Sequence, residues 1–210
     1  MLRRCLCLLC LGVTTLVSAQ TVKVGFTAWD HSRWLPCREE RFPKIVPFVQ
    51  RQGYIENYIA PGYGEKEIVA AKDGVGVAML MLRDFAASDV AARCETAFDR
   101  KGAPAIMFRA QRAGDITGPM YSLVLYEQGV NLWKYDGKKW AKVGASKFAV
   151  QPGVFHELRV YARGGTFAVY VNRERKLVCE DPQPLPAGEA GLWSGEGPCR
   201  FRSFQIGKLE

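Results

Sequence analysis

The chain has 210 residues and a formal net charge of +8, and 48% of its residues are hydrophobic. It contains no internal repeat and no low-complexity tract, which excludes a repeat array, and its length suits one domain with a full hydrophobic core. Because the basic residues are scattered and form no dense run, the charge predicts a mildly basic surface and no nucleic-acid partner.

The first residues have the pattern of a secretory signal peptide. Arg3 and Arg4 give a basic start, and the apolar run from Cys5 to Val17 is too short to cross a bilayer as a helix. Small residues at the end of this run predict cleavage near Ala19. We therefore expect residues 1–19 to be removed and the protein to be secreted or periplasmic, with no transmembrane segment.

Residues 20–65 form an irregular N-terminal segment that is rich in proline, glycine and aromatic residues. Short strands are predicted at Val22–Phe26, as an edge strand, and near Tyr54–Ile59, with long loops between them. Pro43 and Pro47 argue against a continuous helix in this segment. The composition assigns no role to it.

Residues 66–210 consist of short apolar runs with alternating polarity, and no helical stripe with caps is present. Dipeptides typical of tight hairpin turns separate several of these runs, at Asp73-Gly74, Asp136-Gly137 and Gly164-Gly165. Many strands with turns about every 8 to 12 residues predict an all-β, two-sheet antiparallel jelly-roll sandwich. We expect this sandwich to form one domain with residues 20–65.

The stretch "GEAGLWSGEGPCRFRSF" near the end of the chain predicts a sharp change of direction. Gly188 and Gly191 are expected to bend the chain between sheets, and the glycines and proline from Gly195 to Pro198 to reverse it. Trp193 lies at this turn. It either caps the end of the core or offers a stacking surface for a sugar ring.

Four cysteines follow the predicted signal peptide, namely Cys37, Cys94, Cys179 and Cys199. An even number of cysteines in an exported chain suggests disulfides, and the spacings match no zinc site. Cys94 alternates with apolar residues and is expected to be a buried small hydrophobe. Cys179 and Cys199 flank two predicted neighbouring strands and form the best candidate pair, which would stabilise the fold by about 3 kcal/mol.

A groove on one sheet of the sandwich is the predicted ligand site. Side chains of one strand parity point into such a groove, and the candidates with suitable parity are Arg93, Glu95, Arg109, Gln111 and Tyr126. Aromatic rings mixed with polar groups suit a carbohydrate, because rings contact the C–H faces of a sugar and polar groups its hydroxyls. The alternative is a solvated sheet face with cross-strand ion pairs.

The hairpin "NLWKYDGKKW" carries three further aromatic residues, Trp133, Tyr135 and Trp140. Trp133 and Tyr135 share one face. We expect Trp133 in the core and leave open whether Tyr135 and Trp140 form core or a platform at the edge of the groove.

Catalytic and metal-binding motifs are not readable. The chain has two histidines, His31 and His156, and neither belongs to a recognisable metal or triad pattern. The compact Glu-x-Asp-x-x-Glu motif of jelly-roll glucanases is absent. No cofactor is predicted, but calcium stays open because a site made of backbone carbonyls leaves no sequence pattern.

Two long stretches, "GVFHELRVYARGGTFAVYVN" and "AGEAGLWSGEGPCRFRSFQIGKLE", resemble the end of the concanavalin A-like jelly-roll superfamily. The likeness is strongest to bacterial exported domains of the 3-keto-disaccharide hydrolase or laminin-G-like type, and it extends over about residues 66–210. It implies Glu95 as a catalytic acid or base and Arg109 as a charge stabiliser. Ala103-Pro104-Ala105 replaces the Asn-Ser-Gly of that family, and Arg202-Ser203 replaces its acidic or Asn pair in the last strand.

Three functions are therefore compatible with the sequence. The first is an exported carbohydrate-binding or carbohydrate-processing protein with a glycan as partner. The second is a glycoside hydrolase or lyase of the 3-keto-disaccharide type, which the resemblance implies. The third is a structural or adhesion module of the cell envelope.

Overall fold

The computed structural model describes residues 17–40, 46–57, 77–99, 102–195 and 197–209. Within these ranges the regular structure is almost entirely strand, with one short 3-10 helix at His31–Arg33. The strands in chain order are β1 (Val17–Gly25), β2 (Trp34–Glu39), β3 (Phe48–Arg51), β4 (Tyr54–Asn57), β5 (Ala78–Ala87), β6 (Val90–Phe98), β7 (Ala103–Ala110), β8 (Arg112–Ala113), β9 (Ile116–Thr117), β10 (Met120–Tyr126), β11 (Gly129–Tyr135), β12 (Trp140–Lys147), β13 (His156–Arg163), β14 (Thr166–Val171), β15 (Glu174–Glu180), β16 (Gly188–Gly195) and β17 (Cys199–Leu209).

The strands form two sheets that pack face to face. Sheet A has the order β15-β14-β13-β6-β17-β4-β3, with β1 also paired to β17. Sheet B has the order β12-β11-β10-β7-β16-β5-β2-β9-β8. Among the described strands, every pairing is antiparallel except the short parallel one between β2 and β9. The predicted all-β jelly-roll sandwich is confirmed.

The main core lies between the sheets and is made by one parity of each strand. Sheet B contributes Leu80, Ile106 and Leu192, which contact inward residues of sheet A such as Leu158 and Phe204. All five side chains are almost fully buried. Because side chains alternate along each strand, those of the other parity lie on an outward face of each sheet, and such a face can bind ligands.

Two of the three predicted hairpin turns are present. Asp136-Gly137 joins β11 to β12, where Asp136 Oδ1 accepts hydrogen bonds from the backbone N–H groups of Lys138 and Lys139. Gly164 lies between β13 and β14 with a φ of +53°, which glycine adopts without strain. The Asp73-Gly74 turn lies outside the described residues. No helix in the described ranges is long and apolar enough to cross a membrane.

The predicted disulfide between Cys179 and Cys199 is wrong. Both thiols are free, as are those of Cys37 and Cys94. Cys179 lies in the edge strand β15 and Cys199 in β17, and three strands of sheet A separate these two. At about 4.8 Å per strand spacing the backbones are roughly 19 Å apart, far beyond the reach of a disulfide.

The stretch from Gly188 to Phe204 also differs from the expectation. Gly188 begins strand β16, and Gly191 lies within it beside a register shift, so neither glycine carries the chain from one sheet to the other. Gly191 is needed for close packing, since a Cβ there would lie 2.0 Å from the carbonyl oxygen of Leu80. The change of sheet occurs after Gly195, and β17 then starts in sheet A.

Candidate functional site

The outer face of sheet A carries two of the predicted ligand residues in a polar network. Arg93 donates from Nε to Gln205 Oε1 at 2.9 Å and from one terminal nitrogen to Glu157 at 3.3 Å. Glu95 accepts a hydrogen bond of 3.4 Å from Ser203 Oγ. Buried Cys94 points the other way, so the predicted opposite orientation of Arg93 and Glu95 is confirmed.

Arg109 belongs to the other layer and is 1% exposed. Its guanidinium donates to the backbone oxygens of Ser88 and Gly164, the latter at 2.7 Å. It also lies over the rings of Tyr121 and Phe167, which come from different sheets. Burial lowers the pKa of Arg109, although the neighbouring groups oppose that shift. Arg109 therefore fastens the two sheets together.

The prediction that Glu95 and Arg109 share one groove is wrong. Glu95 lies outside sheet A, while Arg109 enters the space between the sheets from sheet B. The strands β6 and β7 follow each other in the chain but pair in different sheets, so neighbouring positions in sequence do not make a common face. Arg109 has a φ of +51°, which breaks the alternation that placed it outward. One substrate bond cannot contact both side chains.

The side chain of Gln111 also makes a structural hydrogen bond instead of facing a ligand groove. It follows the end of β7, and its Nε2 donates to the carbonyl oxygen of Ala187 at 3.0 Å. This holds the start of β16 against β7.

Tyr126 and Trp193 lie together on the outer face of sheet B. Both pack against a small apolar cluster of Ala103, Ala105 and Val124, and Trp133 joins them there. Trp193 therefore does not cap the core between the sheets. The expectation that Trp133 is a core residue is wrong as well, because its strand parity places it beside Tyr126.

A hollow of about 390 Å³ opens at this end of the outer face of sheet B. We call it the edge hollow; its lining residues are Gly102, Tyr126, Glu127, Gln128, Gly129, Asn131, Lys142, Ala145, Ser146 and Lys147. Its volume falls in the range of roughly 300–1,000 Å³ that is typical of small-molecule sites.

The strand register explains why space remains there. Gly129 lies opposite both Tyr126 and Lys147, and Asn131 lies opposite Ala145. Two rows across β10, β11 and β12 thus have glycine or alanine where larger side chains would fill the face. Longer side chains stand around this floor and form its rim.

A hydrogen bond and a cation–π contact fix the aromatic wall beside the edge hollow. Trp133 donates from Nε1 to the Tyr126 hydroxyl at 3.2 Å. Lys142 Nζ lies 4.9 Å from the centroid of the Trp133 ring. The Asn131 side chain is half-buried in the next row. An aromatic surface, an amide and a cation therefore converge on one space.

The centre of the same face is apolar. Its buried side chains are Cys37, Met79, Met81, Met107, Ala110 and Met120, with Trp140 and Trp193 packed at the margin. Burial raises the pKa of the Cys37 thiol to about 11, so the thiol is protonated and unreactive at neutral pH. These buried side chains are at most 1% exposed, so this part of the face is a second apolar cluster and offers no group for proton transfer.

Acidic residues are sparse on the four central strands of sheet B. Within β5, β7, β10 and β16 the sequence has only Asp84 and Glu189. Arg112 holds both carboxylate oxygens of Glu189, at 2.7 and 2.8 Å. Across the described ranges, no three histidine, cysteine, aspartate or glutamate side chains cluster as metal ligands would.

Asn131 and Lys142 are candidate site residues that sequence reasoning missed. The signal was present in the hairpin, because Asn131 has the same parity as Trp133 and lies one row away from it. What the sequence could not reveal is the register between β11 and β12, which shifts between Leu132 and Trp133 and sets Lys142 opposite Trp133.

Comparison with known proteins identifies the architecture. No protein-family model and no curated protein matches the chain. The structure is similar to the carbohydrate-binding module CBM66 of Bacillus subtilis, with 14% identity and a TM-score of 0.63 over 81% of this chain and 92% of that one. It is also similar to a Bacillus licheniformis β-glucanase, with 8% identity and a TM-score of 0.65 over 90% of this chain and 98% of that one.

A third similar structure is a Bacillus subtilis protein of unknown function with a galectin-like fold, at 10% identity and a TM-score of 0.68 over 90% of this chain and 95% of that one. The chain is therefore a jelly-roll β-sandwich of the galectin-like, concanavalin A-like architecture. At these identities the likeness establishes the fold, and membership of the 3-keto-disaccharide hydrolase family stays a prediction.

Proposed function

We propose that the protein is an exported carbohydrate-binding β-sandwich whose glycan site is the edge hollow. The observation that carries this proposal is the convergence of Tyr126, Asn131 and Lys142 around a floor of small residues. Trp133 lies beside this space, in contact with Tyr126 and Lys142. A sugar ring would contact the aromatic wall with its C–H face, and its hydroxyls would bond to the amide and the ammonium group.

Binding is favoured over hydrolysis by the arrangement of acids. Glycoside hydrolysis by the common mechanisms needs two carboxyl groups, roughly 5–9.5 Å apart, on either side of the scissile bond. The edge hollow is lined by one acid, Glu127. In the central strands of sheet B, Glu189 is engaged by Arg112 and Asp84 is the only other acid. The similar structures include both a carbohydrate-binding module and a β-glucanase, so their fold supports a carbohydrate ligand and does not separate binding from hydrolysis.

The test is a glycan array on the chain that begins after Ala19, followed by titration calorimetry with the neutral oligosaccharide that binds best. Trp133→Ala and Asn131→Ala should each weaken binding at least tenfold. Tyr54→Ala is the matched control, because Tyr54 is a half-buried aromatic residue of sheet A. Equal affinity in Trp133→Ala and the wild type would refute the edge hollow as the site.

Two further assays on the same protein separate the other two functions. Turnover of 3-keto-glycosides by the purified protein would favour the hydrolase. An array without any binding, together with capture of an envelope protein, would favour the structural or adhesion module. Either result would overturn the proposed function.

A further inference from the structure

A second hollow lies on the outer face of sheet A, far from the edge hollow. Its volume is about 270 Å³, and we call it the cationic hollow; its lining residues are Thr21, Lys23, Ala91, Ala92, Arg93, Arg159, Tyr161, Gln205 and Gly207. These residues come from β1, β17, β6 and β13, which lie side by side.

Two neighbouring rows of residues across these four strands build the cationic hollow. One row has small residues in its middle, where Ala91 pairs with both Gly207 and Tyr161. The next row consists of paired residues with long polar side chains, Lys23, Gln205, Arg93 and Arg159. The small residues of the first row leave the space of the cationic hollow, and the long side chains of the second row border that space with hydrogen-bond donors.

The charges in the cationic hollow are unbalanced. Three of its lining side chains are cations, Lys23, Arg93 and Arg159, and none is an acid. Glu157 is shared between the two arginines, at 3.3 Å from Arg93 and 2.7 Å from Arg159. Glu95 lies opposite Glu157 in the next row, so two carboxylates face three cations, and the remaining positive charge points to an anionic ligand.

The remaining groups suit an anion carried on a sugar. Arg159 donates to the Tyr161 hydroxyl at 3.1 Å, so the hydroxyl's own hydrogen points elsewhere. The Tyr161 ring is half-buried beside Ala91 and would pack against a pyranose C–H face. Gln205 Oε1 accepts from Arg93, which leaves its amide N–H groups to donate.

We propose that the cationic hollow binds the carboxylate or sulfate group of an acidic glycan. The proposal takes the glycan class from the proposed function but uses a different sheet, so each site can fail without the other. Arginine and lysine recognise both kinds of anion, and the planar guanidinium favours carboxylate through paired hydrogen bonds.

The test is titration calorimetry with three probes: an oligomer of galacturonic acid, a sulfated galactan oligosaccharide and a neutral β-glucan oligosaccharide. Lys23→Gln and Arg159→Gln should each weaken binding of an anionic probe about tenfold. Arg175→Gln is the matched control, because Arg175 is exposed on the same face, opposite Tyr170 in β14, and its loss removes the same charge. Lys23 is exposed, so its variant should fold even if Arg159→Gln does not.

Binding of either anionic probe that is lost in Lys23→Gln and kept in both Arg175→Gln and Trp133→Ala would support the cationic hollow. Equal losses in Lys23→Gln and Arg175→Gln would show attraction by net charge alone and would overturn it. The cationic hollow is also overturned if no anionic probe binds. It is overturned as well if Trp133→Ala abolishes binding of an anionic probe while Lys23→Gln does not, and that result would still agree with a glycan site at the edge hollow.

Discussion

The hydroxyl of Tyr121 in β10 donates a hydrogen bond of 2.5 Å to Asp181 Oδ2, just beyond the end of β15. The same hydroxyl accepts from the backbone N–H of Leu185 at 3.1 Å, and Lys134 Nζ lies 2.8 Å from Asp181 Oδ2. These contacts fasten the segment between β15 and β16 to sheet B. The Tyr121 ring is stacked on Phe108, with 5.2 Å between the ring centroids.

Tyr121→Phe should lower the free energy of unfolding by about 1–3 kcal/mol, because it keeps the ring and removes a buried hydrogen-bond partner of Asp181 and Leu185. Urea denaturation followed by tryptophan fluorescence measures this. Tyr170→Phe, at a half-buried ring on the outer face of sheet A, should change stability by less than about 0.5 kcal/mol. A loss in Tyr121→Phe no greater than in Tyr170→Phe would contradict the anchor.

Stability should fall in acid partly through Asp181. Burial alone would raise the pKa of Asp181, but hydrogen bonds from Lys134 and Tyr121 hold it below its usual value. The unfolded carboxyl takes up its proton near pH 4, so the stabilisation is complete above that pH and disappears as the pH falls through the lower folded pKa. Unfolding curves between pH 7 and pH 2.5 should show a steeper acid loss for the wild type than for Asp181→Asn. Parallel profiles would disprove this role.

Arg109→Gln should lower the free energy of unfolding by about 3 kcal/mol, because it leaves several buried acceptors and Asp89 without their cation. The exposed Arg83→Gln removes the same charge from sheet B and should be nearly neutral. Calorimetric binding of a neutral oligosaccharide by folded Arg109→Gln protein should stay within twofold of the wild type. If Arg109→Gln lost oligosaccharide binding without losing stability, Arg109 would have to be assigned to the ligand site.

Gly191→Ala should destabilise the protein by about 3 kcal/mol or more, because the added Cβ would collide with the backbone of Leu80 in the adjacent strand. Gly25→Ala is the control, since a Cβ at Gly25 has no neighbour within 4 Å. Thermal unfolding of both variants measures the difference. Similar melting temperatures would mean that β5 and β16 are not packed as described.

The sandwich could be predicted because its signals are local. Alternation in β6, the Asp136-Gly137 turn and the Gly164-Gly165 turn each depend on a few neighbouring residues. The assignment of strands to sheets depends on long-range pairing, which a single sequence does not encode visibly. For that reason Glu95 and Arg109 were expected together although β6 and β7 belong to different sheets.

The candidate site was predictable only in part. Tyr126 was expected at a ligand face, and Trp193 either at the end of the core or at a stacking surface. The structure places both on one outer face with Trp133. Trp133 was expected in the core because a large aromatic residue in a strand favours burial, and parity alone does not say which face is inside. The positive φ of Arg109 had no sequence signal, since this conformation is uncommon for arginine.

The central claim is that a glycan occupies the edge hollow beside Trp133. The most direct measurement is the two-dimensional NMR spectrum of the five tryptophan indole N–H groups during titration with the neutral oligosaccharide that binds best on the array. The account predicts that the Trp133 signal, assigned through Trp133→Phe, shifts strongly and that the signals of Trp29 and the buried Trp34 do not. A saturable titration that leaves the Trp133 signal in place would contradict it.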